Sequence, residues 1–192
     1  RRSYGAMIST TDQFIGQVIA RLESHRLRKN TIVVFMSDNG HSEETSYRIS
    51  VKDHKSGYPK SHFYGASGGG NTGKWIGHKG QFLEGGIRVP AIISYPAELP
   101  RGVVRHQMIT AMDWYPTVLE LCGVERSSEA PELDGHNLLP IIHSDEAKSQ
   151  YGDVLHFQWG NRWAVREGEW KLIGIDGKPD VALHRLTDDL PE

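Results

Sequence analysis

The stretch from Thr31 to His41 reads TIVVFMSDNGH, and it decides the fold class that this sequence predicts. Residues 31–36 form a continuous apolar run rich in β-branched side chains, which is typical of a strand buried on both faces of a parallel sheet. The run stops at Asp38, Asn39 and Gly40, at the carboxyl end of the predicted strand. Ligands of open α/β sheets bind at that edge. The stretch therefore predicts an α/β fold with a ligand site at a strand end.

Elements on either side of this stretch support the same class. Residues 4–22 repeat apolar side chains at three- and four-residue steps, which predicts an amphipathic helix. Residues 91–95, AIISY, predict a second buried strand, and residues 107–112 a shorter one. Asp113 has the position of an N-cap for a helix that ends before Gly123.

The end of the chain has a different pattern. Short aromatic and β-branched runs alternate with turn residues after residue 150, which predicts a meander of antiparallel hairpins. The predicted organisation is α/β: a partial, mostly parallel sheet with helices (1–124), a connecting loop region (125–150) and a small antiparallel sheet subdomain (151–192). We expect Trp159, Trp163 and Trp170 to pack this small sheet rather than bind a sugar; a row of exposed tryptophans would overturn that expectation.

Bulk properties exclude several classes of partner. The formal net charge of −2 gives no reason to expect a nucleic acid or an acidic membrane, and no apolar run approaches the length that spans a bilayer. Cys122 is the single cysteine, so an internal disulfide is excluded and a buried thiol is expected. Because the chain begins with Arg1 and Arg2 rather than Met, we expect it to be the interior of a longer protein.

Three residues could carry chemistry. Asp38 and Asn39 offer hard oxygen ligands that suit calcium or magnesium, although DNG is also ordinary turn sequence. Lys79 lies between His78 and Gly80, where its ammonium could bind an anion or simply face solvent. From residue type alone, each of these positions has an ordinary structural explanation.

The ordered set of segments in the chain is more specific than any of these positions. The segments are, in chain order, AMISTTDQFIGQVIARL, NTIVVFMSDNG, GHKGQFLEGGIRVPAII, MDWYPTVLELCG and LDGHNLLPII. Together they closely resemble the carboxyl-terminal part of the sulfatases of the alkaline phosphatase superfamily.

The resemblance implies specific roles for the candidate residues. Sulfatases carry one divalent cation, usually calcium, and Asp38 and Asn39 match two of its ligands. Lys79 matches the lysine that binds the sulfate ester oxygens. Glu84 and Arg88 match positions that support the site. His41 follows the motif in many bacterial members and is expected to border the substrate pocket.

The family's nucleophile is a formylglycine made from a Cys-x-Pro-Ser-Arg type motif, which this sequence lacks. Cys122 lies in LELCGV and does not match it. We therefore predict that the full-length protein is a sulfatase that hydrolyses aryl or carbohydrate sulfates, and that this segment alone is inactive. We also expect the segment to self-associate, because a sheet without its first strands has an uncovered edge. The loop from His41 to Gly73 is expected to line the substrate entrance.

Two alternatives remain open on sequence grounds. The first is a phosphate or phosphonate monoester hydrolase of the same superfamily. Its two-zinc members typically have His where this chain has Asn39, and a carboxamide oxygen suits calcium better than zinc. The second is a non-catalytic module that binds an anion. The resemblance favours a periplasmic or extracellular location, since many bacterial sulfatases are exported.

Overall fold

The computed structural model describes residues 2–42, 72–152, 154–175 and 177–187. Most of the loop from His41 to Gly73, which is expected to line the substrate entrance, therefore lies outside the described residues. The regular elements, in chain order, are helix α1 (Arg2–Ser24), strand β1 (Val33–Met36), helix α2 (Glu84–Ile87), strand β2 (Ala91–Ser94), helices α3 (Trp114–Leu121) and α4 (Leu139–His143), and strands β3 (Val154–Trp159), β4 (Arg162–Glu167), β5 (Trp170–Ile175) and β6 (Val181–Arg185).

Strands β1 and β2 form a two-stranded sheet in which they run antiparallel. Met36 lies opposite Ala91 and Val33 lies opposite Ser94. The α/β class is confirmed, but the parallel pairing expected for these two runs is wrong for the described residues. An apolar run predicts a strand, but it does not predict whether the neighbouring strand runs parallel or antiparallel to it. The middle of β1 is also exposed at Val34 and Phe35, so this strand is not buried on both faces.

A small core joins this sheet to the following helices. Its buried members are Tyr95, Leu99 and Leu121, and partly buried Ile32, Ile93, Leu139 and Ile142 pack against them. The Tyr95 hydroxyl donates a hydrogen bond to Asn30 Oδ1 at 3.1 Å, which satisfies its polar end. The core contacts join the end of β2 to helix α3, and the hydrogen bond joins it to the turn before β1.

The predicted amphipathic helix is confirmed as α1, but its apolar face is not covered by the rest of the described chain. Met7, Phe14 and Val18 are each about 60% exposed. Within the described residues, no helix is both long enough and apolar enough to cross a bilayer.

Asp113 joins three segments of the chain. Its buried carboxylate accepts hydrogen bonds from the backbone N–H groups of Thr110, at 2.6 Å, and His136, at 2.8 Å, and from the Tyr151 hydroxyl. The predicted strand at residues 107–112 is wrong, because residues 111–113 form a 3-10 turn closed by a Thr110–Asp113 capping box. Asp113 caps that turn and makes no side-chain cap to α3.

The antiparallel meander is confirmed as a four-stranded sheet in the order β3-β4-β5-β6. Its turns contain Gly160, Gly168 and Gly177, all with positive φ. Trp163 packs against Gly174 on the next strand, where an added Cβ would lie 2.4 Å from the indole Cζ2. This glycine is therefore part of the packing of the sheet.

Two side-chain predictions are wrong. Trp159 is 63% exposed and Trp170 is 48% exposed, so of the three tryptophans only Trp163 packs as expected. Cys122 is exposed rather than buried, because it lies one residue past Leu121, which faces the core.

Candidate functional site

Asp38 and Asn39 lie in a tight turn directly after β1. Asp38 is exposed and Asn39 is half-buried. The Ser37 hydroxyl donates to the Asn39 carbonyl at 2.8 Å, and Asn39 Nδ2 donates to the Gly40 carbonyl at 2.7 Å. Since the amide nitrogen is used locally, the carboxamide oxygen of Asn39 points away from that bond and can act as an acceptor.

Backbone hydrogen bonds bring the loop that carries Lys79 against this turn. The N–H of Lys79 donates to the His41 carbonyl at 2.8 Å, and the N–H of Gly40 donates to the Gly86 carbonyl at 2.9 Å. The structure thus places the Lys79 backbone next to the residues that follow Asp38 and Asn39, although 40 positions separate Asn39 from Lys79 in the sequence. The side chain of Lys79 is exposed.

The contact between the two segments is possible only because glycines form it. A Cβ at Gly40 would lie 1.8 Å from the Gly85 carbonyl oxygen, and a Cβ at Gly86 would lie 2.2 Å from the Gln81 carbonyl oxygen. Gly77, with φ of +106°, turns the chain into this loop. The glycines of GHKGQFLEGG therefore allow the backbone of the loop that carries Lys79 to pack closely against the turn after β1.

His41 borders the same place. Its Nδ1 is buried and has no hydrogen-bond partner among the residues that the structure describes. Its ring lies 6.3 Å from the His78 ring, centroid to centroid, in an edge-on arrangement. A buried polar atom without a partner is costly, so a group that interacts with His41 at this edge would be stabilised there.

Glu84 is buried beneath the loop and is paired with two cations. Lys171 Nζ, which is itself fully buried, lies 2.9 Å from Glu84 Oε1, and Arg88 Nη1 lies 3.4 Å from Glu84 Oε2. The Arg88 guanidinium also covers the Trp75 ring at 4.3 Å from its centroid. Lys171 was missed by sequence reasoning, because 87 positions separate it from Glu84 and nothing in WKLIGI distinguishes it from a solvated lysine.

The donor set fits a hard cation in part. Asp38 and Asn39 supply two oxygen ligands, whereas calcium takes about six to eight. Across the described ranges, no group of three or more His, Cys, Asp or Glu side chains is assembled in a way that could hold a metal ion. Asp38 and Asn39 could therefore serve as part of a cation site that other oxygen ligands complete.

Comparison with known proteins identifies the family. The Sulfatase family model matches residues 1–124, and a second model, described as N-sulphoglucosamine sulphohydrolase, C-terminal, matches residues 74–189. The chain therefore belongs to the sulfatase family.

Curated proteins that are similar to the chain are also named sulfatases. The chain is 32% identical over 180 residues to a steryl-sulfatase of Mus musculus, covering 89% of this chain and 26% of the relative. It is 33% identical over 171 residues to an N-acetylgalactosamine-6-sulfatase of Sus scrofa, covering 89% of this chain and 28% of the relative. The chain thus spans about a quarter of the length of each of these sulfatases.

Solved structures show the fold. A structure from work on glycosaminoglycan metabolism by Bacteroides thetaiotaomicron superposes with a TM-score of 0.67 at 22% identity, covering 93% of this chain and 37% of the other. A phosphonate monoester hydrolase from Silicibacter pomeroyi superposes with a TM-score of 0.59 at 18% identity, covering 93% and 33%. The chain therefore shares its fold with both of these solved structures.

Proposed function

We propose that these 192 residues form the carboxyl-terminal part of an enzyme that hydrolyses aryl or carbohydrate sulfate esters with the help of a formylglycine nucleophile and one calcium ion. The observation that supports the proposal is the pair of backbone hydrogen bonds, Lys79 to His41 and Gly40 to Gly86, which brings the backbone of Lys79 beside the turn that carries Asp38 and Asn39. Family membership and the sulfatase names of the relatives support it.

In this proposal each residue has one task. Asp38 and Asn39 would hold the calcium ion, which supplies positive charge that stabilises negative charge on the sulfate oxygens. Lys79 would bind a sulfate oxygen through its ammonium and orient the ester. His41, with its buried Nδ1, would border the bound ester. Glu84 and Arg88 would keep the loop rigid.

The nucleophile would come from another part of the protein. The only cysteine, Cys122, follows helix α3 and does not lie in a formylglycine motif. We therefore expect the isolated 192 residues to show no turnover of sulfate esters. Sustained hydrolysis of an aryl sulfate by the purified segment would contradict this part of the proposal.

The test uses the complete gene product. We expect it to hydrolyse a sulfate ester, and Lys79→Ala to lower kcat/KM by about 100- to 1000-fold, the usual loss when one group that stabilises charge is removed. Lys148→Ala, which changes an exposed lysine in the segment after α4, is the matched control and should retain wild-type activity. Equal activity of Lys79→Ala and wild type would refute the role of Lys79.

A phosphonate or phosphate monoester hydrolase is the second candidate, because a solved phosphonate monoester hydrolase shares the fold. Metal analysis of the purified protein separates the two. One bound calcium with hydrolysis of sulfate esters supports the sulfatase, whereas zinc or manganese with faster hydrolysis of phosphonate esters supports the alternative. The carboxamide at Asn39 favours calcium.

A further inference from the structure

The β3–β4 hairpin presents an exposed aromatic side chain directly beside the loop that carries Lys79. The Trp159 ring lies against Gly80, where an added Cβ would be 3.5 Å from the indole Cζ3. Arg162 Nη1 donates to the Gly80 carbonyl at 2.8 Å. The residue that follows Lys79 is therefore held by both sides of one hairpin.

The hairpin has a rigid geometry. Trp159 and Arg162 are a cross-strand pair, and the two-residue loop between them is Gly160-Asn161, with Gly160 at φ of +58°. Such loops match the twist of the strands that they join. The Arg162 guanidinium lies 5.8 Å from the centroid of the Trp159 ring. Because Arg162 is hydrogen-bonded to Gly80 and Trp159 packs against the same residue, part of their side-chain freedom is already lost before a ligand binds.

This part of the hairpin still offers surface to a ligand. Trp159 keeps 63% of its surface exposed although it contacts the loop, and Arg162 is exposed too. An indole presents a large apolar face, which suits the C–H face of a sugar ring. A guanidinium carries five N–H donors, and the bond to Gly80 uses one of them. Those that remain suit a carboxylate or a sulfate.

Trp159 and Arg162 lie on the face of the small sheet that contacts the loop carrying Lys79. Strand register places Phe157, Trp159, Arg162 and Lys171 on one face, since side chains alternate along each strand. Residues 80–84 run along this same face. Gly80 contacts Trp159, Phe82 lies 5.8 Å from Phe157 between ring centroids, and Glu84 pairs with Lys171.

We propose that Trp159 and Arg162 form a subsite for a sugar adjoining the scissile sulfate ester, with the indole stacked on the sugar ring and the guanidinium bound to a carboxylate or second sulfate on it. The inference rests on the proposed function and narrows its substrate class to acidic sulfated glycans. It also reverses the expectation that Trp159 only packs the sheet. Nearness to Lys79 distinguishes Trp159 from the other exposed tryptophan.

The chain supplies a matched control pair. Trp170 and Arg185 are also a cross-strand pair, with the guanidinium 5.7 Å from the ring centroid. Register places them on the opposite face of the sheet, at the opposite end of the strands. A general effect of removing an exposed tryptophan from this sheet would therefore appear in Trp170→Ala as well.

The experiment measures binding and turnover of two sulfate esters by the complete gene product. The first is a disaccharide of a uronic acid and a 6-sulfated N-acetylhexosamine, and the second is 4-nitrophenyl sulfate. We expect Trp159→Ala to weaken disaccharide binding, measured by titration calorimetry, at least 10-fold and to raise KM for it without lowering kcat more than twofold. Its kcat/KM for 4-nitrophenyl sulfate should fall by a smaller factor than its kcat/KM for the disaccharide, and Trp170→Ala should match wild type on both.

The role of the Arg162 guanidinium is tested by comparing the binding of a charged and a neutral disaccharide. Arg162→Gln should bind the disaccharide about 5-fold less tightly, and Arg162→Lys should recover part of that loss. For the same disaccharide with its uronic acid reduced to a neutral sugar, Arg162→Gln and wild type should bind alike. Equal losses for charged and neutral ligands would overturn the role of the guanidinium.

The outcomes separate the two proposals. Absence of turnover of any sulfate ester by the wild type contradicts the proposed function, while calorimetry still tests the subsite. Failure of the wild-type protein to bind the disaccharide overturns the subsite. So do equal effects of Trp159→Ala on both esters, or equal losses in Trp159→Ala and Trp170→Ala, even when the wild type is an active sulfatase.

Discussion

At the scale of single residues, the candidate site depends on positions where no side chain fits. Gly40 is buried, and its Cα faces the Gly85 carbonyl so closely that a methyl group would overlap the oxygen. The same glycine donates its N–H to Gly86. Because Gly40 has no side chain, the loop that carries Lys79 can pack directly against the turn that follows β1.

We predict that Gly40→Ala destabilises the protein by about 3 kcal/mol, because the backbone must separate to admit the Cβ. Urea unfolding measures the change. Gly16→Ala is the control: Gly16 lies in α1 with nothing within 4 Å of an added Cβ, so alanine should stabilise the helix by about 0.5–1 kcal/mol. Equal effects of the two substitutions would contradict the close contact at Gly40.

Tyr151 gives the protein a pH-dependent contribution to stability. Burial, together with the hydrogen bond to Asp113, raises the pKa of Tyr151 from 10.0 to about 12. The unfolded chain releases this proton near pH 10 and the folded chain keeps it to about pH 12, so the unfolded state binds fewer protons in between. The free energy of unfolding must therefore fall as the pH rises through that window.

We predict that Tyr151→Phe removes this contribution. The difference in free energy of unfolding between wild type and variant should be constant below pH 10 and should shrink between pH 10 and pH 12, as measured by urea unfolding at each pH. Tyr115→Phe, at an exposed position, serves as control and should retain the wild-type decline. A pH-independent difference for Tyr151→Phe would count against the Asp113 contact.

At the scale of elements, a buried ion pair joins helix α2 to strand β5. Lys171 and Glu84 are both excluded from solvent, with 2.9 Å between Nζ and Oε1. Removing one partner of such a pair leaves a buried charge, whereas replacing both by neutral groups is far less costly. The pair therefore fixes how the small sheet sits against the loop that carries Lys79.

We predict that Lys171→Met destabilises the protein by about 3 kcal/mol, and that adding Glu84→Gln restores most of this loss. Equilibrium unfolding of the single and double variants checks the prediction. The exposed pair of Arg185 and Glu169, at 3.3 Å, is the control, and Arg185→Met should cost less than about 1 kcal/mol. If the double variant were no more stable than Lys171→Met, the buried charge would not be the cause.

At the scale of the whole molecule, the described chain leaves large apolar surfaces uncovered. Among the described residues, the apolar face of α1 and the middle of β1 are exposed, and the buried core has few members. Exposed apolar area of this kind favours association with another surface. Self-association of the segment stays a prediction, and these exposed surfaces are the reason for it.

We predict that the isolated 192 residues self-associate at micromolar concentration through α1. Sedimentation velocity should show a shift to smaller species in the double variant Phe14→Glu, Val18→Glu, since charges oppose burial of that face. Gln13→Glu adds charge to a polar position of the same helix and should leave association unchanged. A monomeric wild-type segment at all concentrations would contradict the prediction.

The sequence by itself determined the presence of most regular elements and the choice of candidate residues. Helical periodicity identified α1, turn glycines separated the strands of the meander, and the order of motifs pointed to Asp38, Asn39 and Lys79. These features are local, since periodicity and turn chemistry act between residues close together in the chain.

The tertiary structure alone decided contacts between distant segments. The antiparallel pairing of β1 with β2, the burial of Lys171 against Glu84, and the exposed position of Trp159 beside Gly80 all depend on residues more than 50 positions apart. A lysine or a tryptophan looks the same in sequence whether it is buried, solvated or next to a ligand site. Its surroundings are set by packing, which the chain determines only when it is folded.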